Sequence, residues 1–260
     1  MRAPVYQISI KNINTIKFDE PQKFECIQLD TNLTCNLHCL YCHNDRSTKL
    51  MSKEDFIKFV EEQVLEVNDF QIGCAMEPTM DKRLVEFAKI VANSKAKPKR
   101  AFRLQTNATL LDRHDLKALK EAGITVFTIS IDTVNPEVHK ELRGGSDLEK
   151  ILNNIAELRA QWPEVTIRFV TTVNKLNVEV LDELLGYAST HKINGVELRR
   201  MFYFPDSGVI QDHEKMKAIL LDNEYFLSKG IEMKNKYTGN LIVHINDETY
   251  LETVRVNTQT

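Results

Sequence analysis

Apolar, β-branched runs alternate with charged, periodic segments of helical length along most of this 260-residue chain. The runs that predict strands are Phe24–Asp30, Asp69–Ala75, Ala101–Asn107, Thr125–Asp132, Thr166–Val173 and Gly195–Met201. The segments that predict helices are Ser52–Val67, Lys82–Asn93, Asp112–Ala122, Asp147–Gln161 and Val178–Thr190. Strands that alternate with helices over short connections form a parallel sheet, so the chain is expected to be an α/β protein.

The number of strands limits how far this sheet can curl. Six strands are fewer than the eight that close a barrel, so we expect residues 24–201 to form a partial (β/α)6 TIM-like barrel. Its ligands should bind at the C-terminal ends of the strands. Residues 1–23 precede this domain, and residues 202–260 predict a short α+β appendage that closes the substrate side. The appendage should contain a helix over roughly 211–228 and two antiparallel strands near Leu241–Asn246 and Thr249–Val256.

Composition excludes several classes of partner. The formal net charge is −3, which provides no general basic surface for a nucleic acid backbone. The sequence has no apolar run long enough to cross a bilayer and no apolar N-terminal stretch followed by a cleavage site. We therefore expect a cytoplasmic protein, with neither membrane nor nucleic acid as its main partner.

Three of the five cysteines, Cys35, Cys39 and Cys42, follow directly after the first predicted strand. In a reducing compartment, so tight a group indicates a metal site rather than disulfides. Three thiolates leave one iron of a four-iron cubane without a protein ligand. A zinc site with His38 or His43 as the fourth ligand is an alternative, as is a module that carries electrons or zinc without catalysis.

The spacing Cys35-x3-Cys39-x2-Cys42, with Tyr41 before the last cysteine, resembles the signature of the radical S-adenosylmethionine (radical SAM) superfamily. The resemblance is to the branch that includes the molybdenum-cofactor cyclase. It implies that the three cysteines bind one 4Fe–4S cluster and that SAM chelates the open iron. It also implies that an electron from a reducing partner, such as flavodoxin or ferredoxin, cleaves SAM to a 5′-deoxyadenosyl radical, which abstracts hydrogen from a substrate.

The resemblance extends to the ends of the second and third predicted strands. Glu77-Pro78 follows Ala75-Met76, where the family has Gly-Gly-Glu-Pro, and the resemblance implies that Glu77 receives the ammonium group of SAM. A helix-capping role is the alternative for this residue. Thr106 and Asn107 resemble the Thr-Asn-Gly turn of the branch and are expected to bind the cofactor.

The fourth, fifth and sixth predicted strands supply further candidates. Ser130 and Asp132 match positions that, in this branch, approach the SAM ribose or the substrate. By the same analogy, Arg168 and Arg199 are expected to contact SAM. A structural ion pair is the alternative for each arginine, because a charge in an apolar strand needs a partner.

The remaining cysteines bear on the substrate. Cys26 is expected to be a small buried side chain, and Cys74 is a candidate hydrogen donor to a substrate radical. No cysteine follows Cys74, so this sequence cannot build a second cluster that only cysteines ligate. That favours a small-molecule substrate, and radical modification of a peptide is the alternative.

Overall fold

In the computed structural model, which describes residues 5–8, 11, 13 and 17–246, eight strands form one open sheet. Their order in the sheet is their order in the chain, and every neighbouring pair is parallel. The strands are β1 (Val5–Ile8), β2 (Gln22–Leu29), β3 (Val64–Ile72), β4 (Ala101–Thr106), β5 (Val126–Ser130), β6 (Thr166–Val173), β7 (Gly195–Arg200) and β8 (Ile242–Asn246). The predicted α/β fold and partial barrel are confirmed.

Helices connect these strands. They are α1 (Lys53–Lys58), α2 (Leu84–Ala92), α3 (Leu116–Glu121), α4 (Pro136–Leu142), α5 (Leu148–Gln161), α6 (Leu181–Thr190), α7 (His213–Ala218) and α8 (Asn223–Lys236). A π-helical turn, Phe59–Gln63, extends α1, and short 3₁₀ turns occupy Pro78–Met80, Leu111–Arg113 and Val178–Val180. The sequence did not predict α4, which Asn135 caps with its side chain and which begins at Pro136.

The sheet has more strands than the six predicted. β1 was not predicted, and it pairs with β2. β8 was predicted as a strand, and it pairs in parallel with β7, Gly195 opposite Ile242. The proposed antiparallel partner of β8, Thr249–Val256, lies outside the described residues, so that pairing stays a prediction. The division into an N-terminal segment, a barrel and an appendage also stays a prediction, although β8 belongs to the same sheet as β7.

Three predicted helices were wrong at their ends. Val64–Val67 begin β3 instead of ending the first helix, because Val64 and Val67 are fully buried by strand pairing and packing. The expected helix over 112–122 begins only at Leu116, where Asp115 accepts a hydrogen bond from the backbone of Ala118. The helix expected over 211–228 is two helices, since Asp222 caps α8 and interrupts the run.

The two faces of the sheet differ in character. Side chains such as Ile27, Phe70 and Phe127 are fully buried on the face that the helices cover, in one continuous core. The alternate positions carry polar residues. Gln28 accepts a hydrogen bond from Gln7 at 3.3 Å, and Gln71 donates one to Gln105 at 3.2 Å. The inner face is therefore polar and lies below the loops at the C-terminal ends of the strands.

Phe127→Ala tests the core. Phe127 is fully buried and meets Trp162 edge to face, with the ring centroids 5.8 Å apart. We expect the free energy of unfolding in urea to fall by about 3–5 kcal/mol, because the change leaves a cavity. Leu65→Ala is the control, since Leu65 is 55% exposed and its loss should change stability by less than about 0.5 kcal/mol. Equal losses in the two variants would contradict the assignment of the core.

Candidate active site

The three predicted cluster ligands lie on the loop that follows β2, which we call the cluster loop (residues 35–42). Their thiols are free and half-buried. Backbone hydrogen bonds attach the loop to the end of α4: His38 N donates to Gly144 O at 3.1 Å and Leu40 N to Leu142 O at 2.9 Å. The loop therefore sits at the C-terminal edge of the sheet, where the sequence places it.

Two of the three thiols have an N–H donor from a different part of the chain, and the third lies near a cation. Arg143 Nη1 lies 3.6 Å from Cys39 Sγ, and Asn107 Nδ2 lies 4.0 Å from Cys35 Sγ. Arg46 lies near Cys42: burial lowers the pKa of its guanidinium, but the interactions with Cys42 and the other two thiols outweigh that effect and raise it. Such donors stabilise negative charge on sulfur, as an iron–sulfur cluster requires.

The donor set fits a cluster. Among the described residues, no three His, Cys, Asp or Glu side chains converge closely enough to share a single metal ion. In a 4Fe–4S cluster each cysteine binds a different iron, so wider spacing is needed. The ring of His43, one of the two candidate zinc ligands, is stacked on Phe204 with the centroids 3.8 Å apart. Burial raises the pKa of the Cys35 thiol to about 11, and cluster binding would have to displace that proton.

Glu77 is buried and binds four donors. Its carboxylate accepts hydrogen bonds from Thr79 N at 3.1 Å, Thr79 Oγ1 at 2.6 Å, Thr106 Oγ1 at 2.6 Å and Asn107 N at 2.7 Å. Burial raises its pKa, and these bonds oppose the shift. Its backbone N–H also donates to Thr34 O, next to the cluster loop. Glu77 thus connects the ends of β2, β3 and β4, and its contact with SAM stays a prediction.

Asn107 links β4 to the cluster loop. Its Oδ1 accepts hydrogen bonds from Thr109 N at 3.0 Å and Thr109 Oγ1 at 2.6 Å. Its Nδ2 donates to Asn36 Oδ1 at 3.0 Å, and Asn36 Nδ2 donates to Thr109 Oγ1 at 2.8 Å. The predicted residues Thr106 and Asn107 therefore lie beside both Glu77 and Cys35.

Asp30, at the end of β2, is a site residue that the sequence reasoning missed. Its carboxylate accepts hydrogen bonds from the backbone N–H groups of Cys74 at 2.8 Å, Ala75 at 3.1 Å and Met76 at 3.2 Å. Burial raises the pKa of Asp30, and the three N–H donors oppose the shift. Asp30 holds the loop that stands where the family has two glycines. An acid directly after a buried apolar strand is the signal that could have identified it.

Asp132 faces the cluster loop. Its Oδ2 lies 2.7 Å from Arg143 Nε and accepts a hydrogen bond from Tyr41 OH at 2.5 Å. Its Oδ1 accepts one from Thr172 N at 2.8 Å. These contacts anchor the cluster loop, a role the sequence did not predict for Asp132. Ser130 is half-buried at the end of β5, and a ribose contact for either residue stays a prediction.

The two predicted arginines lie on neighbouring strands, Arg168 opposite Gly195 and Arg199 opposite Thr172, and the charge of each acts on Glu197. Arg199 Nε donates to Glu197 Oε1 at 2.8 Å, which is the ion pair considered as its alternative role. Asn246 Nδ2 donates to the same oxygen at 3.0 Å. Burial opposes ionisation of Glu197, but these contacts and the charge of Arg168 hold its pKa below the usual value. Burial, and then the charge of Arg168, lower the pKa of His244.

Cys74 lies at the end of β3. Its Sγ donates to Gln28 Oε1 at 3.3 Å on the inner face. Burial raises the pKa of its thiol, and the nearby Asp30 adds to the shift, so the group stays protonated. A protonated thiol is the form that could give up a hydrogen atom, and that role stays a prediction.

The segment after β7 covers the outside of the cluster loop. Met201, Ile210, Met216 and Ile219 form a small apolar cluster against Leu40 and Tyr41. Phe204 stacks on His43, and Tyr203 OH lies 2.8 Å from His213 Nδ1. This cover reduces the access of water and oxygen to the thiols from that side.

Comparison with known proteins identifies the family. A match to the family described as the Radical SAM superfamily spans residues 31–188, which include all three cysteines of the cluster loop. The chain belongs to the radical SAM superfamily. It is therefore a radical SAM enzyme, and its cofactors are a 4Fe–4S cluster and SAM.

A curated relative supports the predicted branch. The probable GTP 3′,8-cyclase of Methanococcus maripaludis (strain C5) is 32% identical over 243 residues, which are 90% of this chain and 77% of the relative. The resemblance to the branch that includes the molybdenum-cofactor cyclase is confirmed.

Solved structures share the fold. The structure of anSMEcpe with bound AdoMet superimposes with a TM-score of 0.67 at 18% identity, over 86% of this chain and 64% of that one. Streptococcus suis SuiB bound to its precursor peptide SuiA has a TM-score of 0.64 at 16% identity, over 92% of this chain and 51% of that one. This chain thus spans about half to two thirds of the length of these two proteins. No helix in the described part of the chain is long and apolar enough to span a membrane.

Gly144→Ala tests the contact between the cluster loop and the end of α4. A Cβ at Gly144 would lie 2.8 Å from the backbone oxygen of His38, so the loop must shift. We expect less iron per chain after anaerobic reconstitution. Gly208→Ala is the matched control, because a Cβ there meets nothing within 4 Å. Full iron content in Gly144→Ala would show that the contact does not position the loop.

Phe204→Ala tests the cover. Removing the ring that stacks on His43 opens one side of the cluster loop, so we expect the visible absorption of the cluster to bleach severalfold faster in air. The control is Tyr225→Ala, which removes an exposed ring on α8. Equal bleaching rates for wild type and Phe204→Ala would contradict the assignment.

Proposed function

We propose that this enzyme cleaves SAM reductively at a single 4Fe–4S cluster bound by Cys35, Cys39 and Cys42, and that the resulting radical abstracts hydrogen from a small polar molecule. The observation that carries the proposal is the position of a three-thiol loop at the edge of a polar inner face. When bound, the cluster supplies one electron to SAM, and SAM supplies a 5′-deoxyadenosyl radical.

The protein's part is to bind, orient and shield. Ser130, Arg168 and Arg199 are partly exposed, so their polar groups remain available to SAM or to the substrate. Buried polar groups whose bonds are already formed hold the strand ends in place instead, and we propose that role for Glu77, Thr106, Asn107 and Asp132. Their predicted direct contacts with SAM would have to form in addition to these bonds.

The inner face favours a small polar substrate. Amide side chains line β1 to β4, and charged side chains lie on β6 and β7. The relative from Methanococcus maripaludis, named for a cyclisation of GTP, also suggests a small molecule. The three cysteines of the cluster loop suit one cluster with three cysteine ligands.

A peptide substrate is the second candidate. SuiB and anSMEcpe, which share this fold, were crystallised with peptides. In either case the enzyme needs an external one-electron reductant, for which flavodoxin or ferredoxin is suited. A cytoplasmic location, where thiols stay reduced, stays a prediction.

Cys39→Ala tests the ligand assignment. Reconstituted wild-type enzyme, given SAM and dithionite without oxygen, should form 5′-deoxyadenosine, which chromatography detects. Cys39→Ala should form none, because the cluster loses one of its three ligands. Cys26→Ala is the matched control and should retain cleavage, since Cys26 lies within β2, away from the cluster loop. Wild-type enzyme that binds a cluster but forms no 5′-deoxyadenosine would overturn the proposal.

Transfer of deuterium separates the two substrate classes. Candidate nucleotides and peptides labelled with deuterium are incubated with the enzyme, and mass spectrometry of 5′-deoxyadenosine shows which label moves. We expect label from a small molecule. Transfer from a peptide side chain alone would replace our proposal with peptide modification.

A further inference from the structure

Arg143 is a buried cation at the end of α4, and its side chain is 8% exposed. Its guanidinium makes two polar contacts: Nε is 2.7 Å from Asp132 Oδ2, and Nη1 is 3.6 Å from Cys39 Sγ. It also lies over the ring of Tyr41, 5.8 Å from the centroid. One rigid, planar group thus joins a buried carboxylate to a predicted cluster ligand.

The contacts of Asp132 fix the direction of this guanidinium. Thr172 N and Tyr41 OH donate to the carboxylate, so its position does not depend on Arg143 alone. Residues 142 and 144, on either side of Arg143, accept hydrogen bonds from the backbone of the cluster loop. The guanidinium therefore presents Nη1 to Cys39 while its Nε lies against Asp132.

This orientation has an electrostatic consequence. An N–H donor and a positive charge beside a cluster sulfur stabilise the reduced cluster more than the oxidised one, because the reduced cluster carries one more negative charge. Asn107, beside Cys35, is neutral and lies at a longer distance. Of the two cations beside the thiols, Arg143 is the buried one, and a charge acts most strongly where water does not screen it.

We infer that Arg143 is a positioning residue that raises the reduction potential of the cluster through Cys39, and that Asp132 orients it and moderates its charge. The inference rests on the proposed ligand assignment. The step involved is the entry of one electron from an external reductant, in which no bond forms or breaks.

Two variants are expected to shift the potential in opposite directions. Asp132→Asn keeps the shape of the side chain but removes the negative partner, so Arg143 acts without compensation and the potential should rise. The double variant D132N/R143M removes the donor and both charges, so no buried charge is left unpaired and the potential should fall. A purely structural role would not reverse the sign. The matched control is Arg100→Gln. It removes an arginine that pairs with Asp69 and directly precedes β4, at the N-terminal ends of the strands and thus at the opposite end from the cluster loop.

The measurement is a redox titration of the reconstituted full chain without SAM, followed by the EPR signal of the reduced cluster. At a fixed ambient potential we expect about tenfold less reduced cluster in D132N/R143M than in wild type, a downward shift of about 59 mV for one electron. The potential of Asp132→Asn should lie above that of wild type, and that of Arg100→Gln should match it.

Iron and sulfide analysis distinguishes the possible failures. Wild-type enzyme without a cluster would refute the ligand assignment, and with it this inference. Normal clusters with unchanged or equally shifted potentials in both variants would overturn the inference and leave the proposed function standing. If the double variant does not take up a cluster, Asp132→Asn decides alone: a raised potential supports the inference, and an unchanged or lowered one refutes it.

Discussion

Three buried carboxylates, Asp30, Glu77 and Asp132, join the loops at the strand ends of this enzyme, and the cluster loop, Cys74 and Asn107 are held through them. An ionised carboxylate is costly to bury unless donors surround it. Asp30 takes three backbone N–H groups of one loop, Glu77 takes four donors from two loops, and Asp132 takes Arg143, Tyr41 and Thr172. Each carboxylate therefore has its hydrogen-bond donors only when the neighbouring loops are in place. As a result, the cluster loop, the loop after β3 and the loop after β4 are connected to one another, and together they form the rim of the site.

The sequence predicted the features that local patterns encode. Alternating apolar and periodic segments indicated the parallel sheet, and the spacing of Cys35, Cys39 and Cys42 indicated the cluster loop. Errors arose where local signals compete. Val64–Val67 continue an apolar pattern that suits a helix, yet tertiary pairing with β2 makes them a strand. The parallel pairing of β8 with β7 is a contact that no local pattern could specify.

The site residues, too, could be predicted from local motifs, whereas their contacts could not. The identity of Glu77, Thr106 and Asn107 as residues of the rim followed from their motifs. The hydrogen bonds from Thr106 and Asn107 to Glu77 do not follow from the residue types, because these bonds depend on the distance between two loops. The pair Asp132 and Arg143 was beyond sequence reasoning for a similar reason. Asp132 stood in a motif, but only the folded chain shows that Arg143 faces it beside Cys39.

The strands lie in the sheet in the same order as they occur in the chain, and this has a consequence for biosynthesis. Each strand pairs with the one made just before it, so the sheet can grow while the chain leaves the ribosome. The cluster loop follows β2, but Arg143 lies 104 residues after Cys39, and the cover of residues 201–219 comes later still. A nascent chain therefore presents its three thiols without the buried Arg143 until the 104 residues that follow Cys39 have been made. Insertion of iron and sulfide has this interval available before the site closes.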